Sequence, residues 1–171
     1  MPIGQVRGCV FVLEEKVKYM NNAEFLPEVI ALVNEGHDVT IPLRGYSMRP
    51  FLEDGRDLAI LTKIDRPLKV GDIVLAELAP GHYALHRIFR LNKTHVQMLG
   101  DGNLTPDPII RHEDVKVIVK AFLRKGSKTP DYIDGKKFQR YSKFWMKVRP
   151  ARRWLLAVWR RLPMRVRNRL V

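Results

Sequence analysis

Acidic residues are missing from the end of this chain. All 18 Asp and Glu of its 171 residues lie at or before Asp134, whereas 13 of the 31 Lys and Arg lie after it. Residues 1–135 are therefore formally neutral, and the net charge of +13 belongs to residues 136–171. This excludes a uniformly basic, histone-like protein and points to a neutral domain with a basic tail. Cysteine is nearly absent. The single Cys9 excludes an intrachain disulfide framework and a cysteine-rich zinc site. Long apolar runs are lacking too, none reaching the roughly 18 residues that span a bilayer. The run Gly8–Leu13 is too short for a signal-peptide core and is followed by Glu14 and Glu15 without a small-residue cleavage site. The chain is accordingly expected to stay on the cytoplasmic side. It has no internal repeat and no glycine-rich phosphate loop.

What is present is enough for one folded domain. Hydrophobic content is 46%, ordinary for a globular protein, and 135 neutral residues can enclose a core. Asn21 or Asn22 can cap a helix over about 23–34, where Phe25, Val29, Leu32 and Val33 recur at helical spacing and Gly36 closes the end. A short strand is expected at Val39–Leu43. Further strands are expected at Leu58–Leu61, Ile73–Leu78, Tyr83–Leu91, His95–Leu99 and Val115–Leu123, separated by turns rich in Gly, Pro, Asp and Asn. Short strands with frequent turns predict a small, mostly β, antiparallel domain. The expected organisation is a helical segment over 1–37, the β domain over 38–125, a linker over 126–135 and a basic amphipathic tail over 136–171.

Three segments carry chemically useful residues. They are Gly45-Tyr46-Ser47-Met48-Arg49-Pro50, Ala84-Leu85-His86-Arg87-Ile88, and Gly100-Asp101-Gly102-Asn103 with Asp107 following. A serine hydroxyl needs a base to take its proton before it attacks a carbonyl. An ordinary imidazole, with pKa near 6.5, is largely neutral at about pH 7 and serves without tuning, whereas a lysine must be desolvated. A carboxylate on the far ring nitrogen would hold the tautomer and stabilise the imidazolium, and Asp107 or Asp101 can supply it. The Ser47 N–H is a candidate oxyanion donor. Lys63, Lys69 and Lys93 read as solvated surface residues. His82 and His86 share a strand face, but no nearby carboxylate or cysteine completes a metal set, so neither metal nor cofactor is expected. His82, His95 and His112 read as surface residues.

In these segments the chain resembles the signal-peptidase and LexA-like serine peptidase superfamily, over about residues 38–122. The family's Ser-Met-x-Pro box matches Ser47-Met48-Arg49-Pro50, followed by Gly55-Arg56-Asp57 in place of an uninterrupted Gly-Asp. Val70-Gly71-Asp72-Ile73-Val74 resembles a family strand start. His86-Arg87 stands where the family has its base, and a histidine there is similar to the archaeal and endoplasmic-reticulum signal peptidases. Gly100-Asp101 and Asp107 match the family's acidic box. The resemblance implies a β-type peptidase fold, Ser47 as nucleophile, His86 as base, Asp107 orienting it and Asp101 shaping the site. It implies a serine endopeptidase acting on a polypeptide through an acyl-enzyme. Two features depart from the family. Gly45 stands where many members have a hydroxyl residue, and the transmembrane anchor usual in signal peptidases is absent. LexA-like members carry a DNA-binding helix-turn-helix, for which residues 1–38 leave room for only one or two helices. The other reading of the chain is a catalytically inactive protein of the same fold that acts through its tail.

Within the tail, Ala151–Leu162 places Trp154, Leu155, Val158, Trp159 and Leu162 on one helical face, with Arg153 and Arg160 opposite. Trp and Leu against Arg is the pattern of a helix lying in a membrane interface, and an anionic leaflet adds to its attraction. Docking of that apolar face on the domain, and nucleic-acid binding through Arg and aromatics, are the competing readings. Without a recognised nucleic-acid module, nucleic acid ranks last; docking on the domain and association with an anionic membrane surface stand level, and the expected location is cytoplasmic, with the inner face of the membrane as the place of any peripheral binding.

Overall fold

The computed structural model describes residues 9–13, 16–125, 127, 129–163 and 166. Helix α1 (Asn22–Asn34) begins where the Asn21 side chain accepts a hydrogen bond from the Glu24 N–H at 3.0 Å. Phe25, Leu26, Val29 and Val33 form its buried stripe, and Gly36 leaves the helix at φ +101°, a left-handed conformation favouring glycine. Ahead of it, β1 (Cys9–Leu13) and β2 (Lys16–Met20) pair antiparallel as a separate hairpin. The expectation of a helical segment over 1–37 is thus corrected for residues 9–13 and 16–20. The reason is local: Val10-Phe11-Val12 and Val17-Lys18-Tyr19 are β-branched and aromatic rich, which favours extended backbone.

The main sheet is antiparallel throughout. Its strands are β3 (Val39–Pro42), β4 (Leu58–Thr62), β5 (Ile73–Ala79), β6 (His82–Leu91), β7 (His95–Leu99), β8 (Ile109–Arg111), β9 (Val115–Leu123) and β10 (Asp131–Tyr132). They run in the order β3-β4-β9-β5-β6-β7-β8, with β10 also paired to β9. Strand β9 therefore leaves sequence order to insert between β4 and β5, which joins the strand following the Ser47 turn to the hairpin bearing His86. Ile73–Ala76 are buried without a break, so both faces of this central strand are covered. α1 packs against β3, β6 and β9. The chain is thus mostly antiparallel β with an N-terminal helix and C-terminal helices.

The last part of the chain is built into the domain. Tyr132 and Asp131 pair with Ala121 and Phe122 of β9, and Ile133 is buried. Within the linker expected over 126–135, residues 131–132 are therefore sheet and Ile133 is core. Helix α2 (Lys136–Lys147) buries Phe138, Ser142 and Trp145. Phe138 and Tyr141 pack on Phe51, with ring centroids 5.5 and 4.4 Å away, and Phe51 contacts Phe122 at 5.6 Å. A single 3-10 turn at Arg149–Ala151 leads into α3 (Arg152–Arg161), which buries Arg152 and Leu156. No helix among the described residues is long and apolar enough to cross a membrane.

Candidate active site

His86 sits in the middle of β6, just beyond the point where pairing with β7 stops. It pairs with Val74 of β5, while the β6–β7 ladder runs only as far as Arg87 and Leu99 on this side. The chain leaves β7 there and turns through Gly100. Because side chains alternate along a strand, His86 and Arg87 point to opposite faces.

On the His86 face, Nδ1 lies 2.6 Å from Asp107 Oδ2. A carboxylate accepts, so the ring donates from Nδ1 and leaves Nε2 as an acceptor. Asp107 is itself fixed by backbone: its N–H donates to the Met98 carbonyl at 2.9 Å, and its carbonyl accepts from Gln97 Nε2 at 3.1 Å. His86 is 6% exposed.

The serine turn lies against the same place. The Ser47 carbonyl accepts from the Gly102 N–H at 2.7 Å. A Cβ on Gly100 would stand 2.5 Å from the Ser47 carbonyl oxygen, 2.9 Å from Asn103 Nδ2 and 3.0 Å from His86 Nε2. A Cβ on Gly102 would stand 2.7 Å from the Tyr46 carbonyl oxygen. Both glycines are therefore required by close packing of two loops. Ser47 and His86 line one open cleft of about 160 Å³ with Leu43, Arg44, Met48 and Tyr83. The Ser47 hydroxyl makes no hydrogen bond among the described residues, and its N–H has no backbone partner there. A hydroxyl and an N–H left open to a cleft can both meet a bound carbonyl group.

The serine turn is clamped from behind. Asp57 is fully buried; it takes a bidentate pair from Arg56 at 2.8 and 2.6 Å and accepts from the Glu53 N–H at 2.9 Å. Asp54 accepts from the Gly45 N–H at 2.8 Å, and Arg49 pairs with Glu53. Gly45 has φ +86°. The acids of the Glu53–Asp57 stretch thus hold the turn that displays Ser47.

Asp101 does not touch His86. It is fully buried and forms a bidentate pair with Arg87, Oδ1 to Nε at 2.9 Å and Oδ2 to Nη2 at 2.7 Å. Arg87 also donates to Ser142 Oγ at 2.8 Å and to the Gly71 carbonyl at 3.0 Å. Tyr141 donates to Asp101 Oδ2 at 3.3 Å, and the Trp145 indole donates to the Asp101 carbonyl at 3.1 Å. Burial pulls the Arg87 guanidinium down, but the charge and hydrogen bonds of Asp101 outweigh it and leave it above its ordinary value. Burial, then the Asp101 charge, pushes the Tyr141 phenol well up. Burial lowers Arg152, partly offset by Asp101.

Of the four residues singled out from sequence, Ser47 and His86 line one cleft, Asp107 contacts the His86 ring, and Asp101 pairs with Arg87 instead. Reading the sequence quoted Asn103 without giving it a role, although its amide lies beside Gly100, and missed the Arg87–Asp101–Ser142 cluster. No sequence signal links Arg87 to Ser142, which is 55 residues away. Lys63, Lys69 and Lys93 are exposed and do not line the cleft. His82, His95 and His112 are exposed. Among the described residues no group of three or more His, Cys, Asp or Glu could hold a metal ion.

Neither a protein-family model nor a characterised protein nor a solved structure matches this chain.

Proposed function

We propose that the chain is a serine endopeptidase with the β fold of the signal-peptidase and LexA-like type, using Ser47, His86 and Asp107. The observation that carries this reading is the His86 Nδ1–Asp107 contact of 2.6 Å, which leaves Nε2 as the acceptor of the neutral ring on a histidine that lines the same cleft as Ser47. Substrate-free sites commonly hold the serine–histidine pair loosely and tighten it when substrate binds.

In this mechanism Ser47 Oγ bonds to the scissile carbonyl carbon as its proton passes to His86 Nε2. Asp107 stabilises the imidazolium and does not take the proton. The oxyanion accepts from the Ser47 N–H. With Gly45 offering no hydroxyl, Asn103 Nδ2 is the nearest side-chain donor beside the Gly100 turn. His86 then returns the proton to the leaving amine, whose bond to carbon breaks. Water, deprotonated by the same ring, releases the acyl group and restores Ser47.

A serine-reactive acyl probe tests this directly. The wild type is expected to label, and Ser47→Ala to lose the label while keeping the wild-type melting profile. Equal labelling of both proteins would overturn the assignment, and absence of label in both would favour an inactive protein of the same fold.

A further inference from the structure

Only part of the apolar face that α3 shows in sequence docks: Trp159 is half-buried and borders a groove with Phe51, Tyr141 and Trp145, whereas Trp154, Leu155 and Val158 stay outside. The helix is held to the domain through Arg152 and Leu156, which are buried. Arg152 reaches the Gly100 carbonyl at 3.5 Å and the Trp145 carbonyl at 3.3 Å. Trp154, Val158 and Leu155 point elsewhere and are 67%, 59% and 39% exposed. At 100° per residue these three fall within a sector of about 100°. Nothing among the described residues covers this sector, and a protein surface seldom leaves a Trp and its aliphatic neighbours uncovered without a partner.

The surroundings select the partner. Arg153, Arg160 and Arg161 are exposed on the same helix, and residues 136–171 carry 13 cations and no acid. An anionic lipid surface matches both halves of this pattern, because it offers acidic headgroups to the arginines and an apolar layer beneath them. Nucleic acid matches only the charge, since Leu155 and Val158 can neither stack on bases nor pair with phosphate. We propose that α3 lies on an anionic membrane surface, with Trp154, Leu155 and Val158 entering the headgroup layer. The Arg152 contact to Gly100 then ties the bound helix to the turn beside His86, so the cleft is held close to the lipid surface.

Flotation with vesicles tests this on the full chain. The probes are vesicles of phosphatidylcholine alone and of phosphatidylcholine with roughly one third phosphatidylserine. Wild type and Ser47→Ala are expected to float equally with the anionic vesicles, which separates docking from the peptidase reading. The double variant Trp154→Ser/Val158→Ser replaces exposed residues only and is expected to bind at least roughly tenfold more weakly, because two buried apolar side chains are lost from the bound state. Tryptophan emission of the wild type is expected to shift to the blue on anionic vesicles as Trp154 leaves water, a readout that needs no variant. Equal flotation of the double variant, an unshifted emission, or binding of duplex DNA or single-stranded RNA in place of vesicles at the same salt would overturn the proposal.

Discussion

Two aspartates six residues apart, Asp101 fully buried and Asp107 half-buried, do different work, and single substitutions separate them. Asp107 meets a ring nitrogen at 2.6 Å. Under the proposed mechanism Asp107→Asn keeps the shape but favours the wrong imidazole tautomer, so kcat is expected to fall by about 10⁴-fold, the size of that change in known Ser-His-Asp triads, with a nearly unchanged melting temperature. Asp101 is fully buried against Arg87, which is itself 1% exposed. Asp101→Asn strands that guanidinium, so a loss of about 3–5 kcal/mol is expected in urea unfolding. If Asp101→Asn is as stable as wild type, the structural role given to it is wrong. Gly100→Ala belongs with these. Its Cβ would meet the Ser47 carbonyl at 2.5 Å and His86 Nε2 at 3.0 Å. Overpacking of about 1–3 kcal/mol and loss of acyl-probe labelling are expected together. This is where the sequence reading was sharpest, since glycines and acids in one short box have few physical reasons to occur together. It could not tell which acid faced His86, because that depends on how the loop leaves β7.

At the scale of the element, α2 works as the back wall of the site. Ser142 meets Arg87, while Tyr141 and Trp145 meet Asp101. Arg87 is the neighbour of His86 on the opposite face of β6, so α2 braces the strand that carries the imidazole. The Tyr141 phenol gives this a pH signature. Its pKa is raised well above the ordinary value of 10.0 by burial and then by Asp101. The folded protein therefore holds a proton that the unfolded chain releases above about pH 10. Stability from this group is complete below that pH and is lost as pH rises further. Tyr141→Phe is expected to flatten the alkaline fall of the urea midpoint, and an equally steep fall would remove Tyr141 as its source. Helix periodicity over Ala151–Leu162 showed that α3 is amphipathic. It could not show which side docks. In α3 the buried seam runs through Arg152 and Leu156, and a lone arginine on a docking face has no signature in a hydrophobic pattern.

Across the whole molecule, the charge boundary and the folding boundary do not coincide. Acids stop at Asp134, yet burial continues through Phe138, Trp145 and Leu156. Each buried large side chain contributes on the order of 1.5–3 kcal/mol, and three of them match the total stability of a typical domain. The full chain is expected to melt in one transition by calorimetry. A chain ending at residue 135 is expected to lose that transition or aggregate, with Phe51 and Phe122 uncovered. If the shortened chain melts like the full one, residues 136–171 are an independent tail after all.

Local physics made much of this legible from sequence. Asn21 and Gly36 bound a helix, alternation and turn residues bound the strands from Leu58 to Leu123, and the order of charges marks out a basic segment. These follow from interactions among near neighbours, which any stretch of sequence displays. Long-range pairing decided the rest. The insertion of β9 between β4 and β5, the approach of the Gly100 turn to Ser47, the pairing of Arg87 with Asp101 and Ser142, and the docking of α2 on Phe51 all join residues far apart in the chain. Such contacts depend on which surfaces exclude water together, and that is settled only when the whole chain has closed around its core.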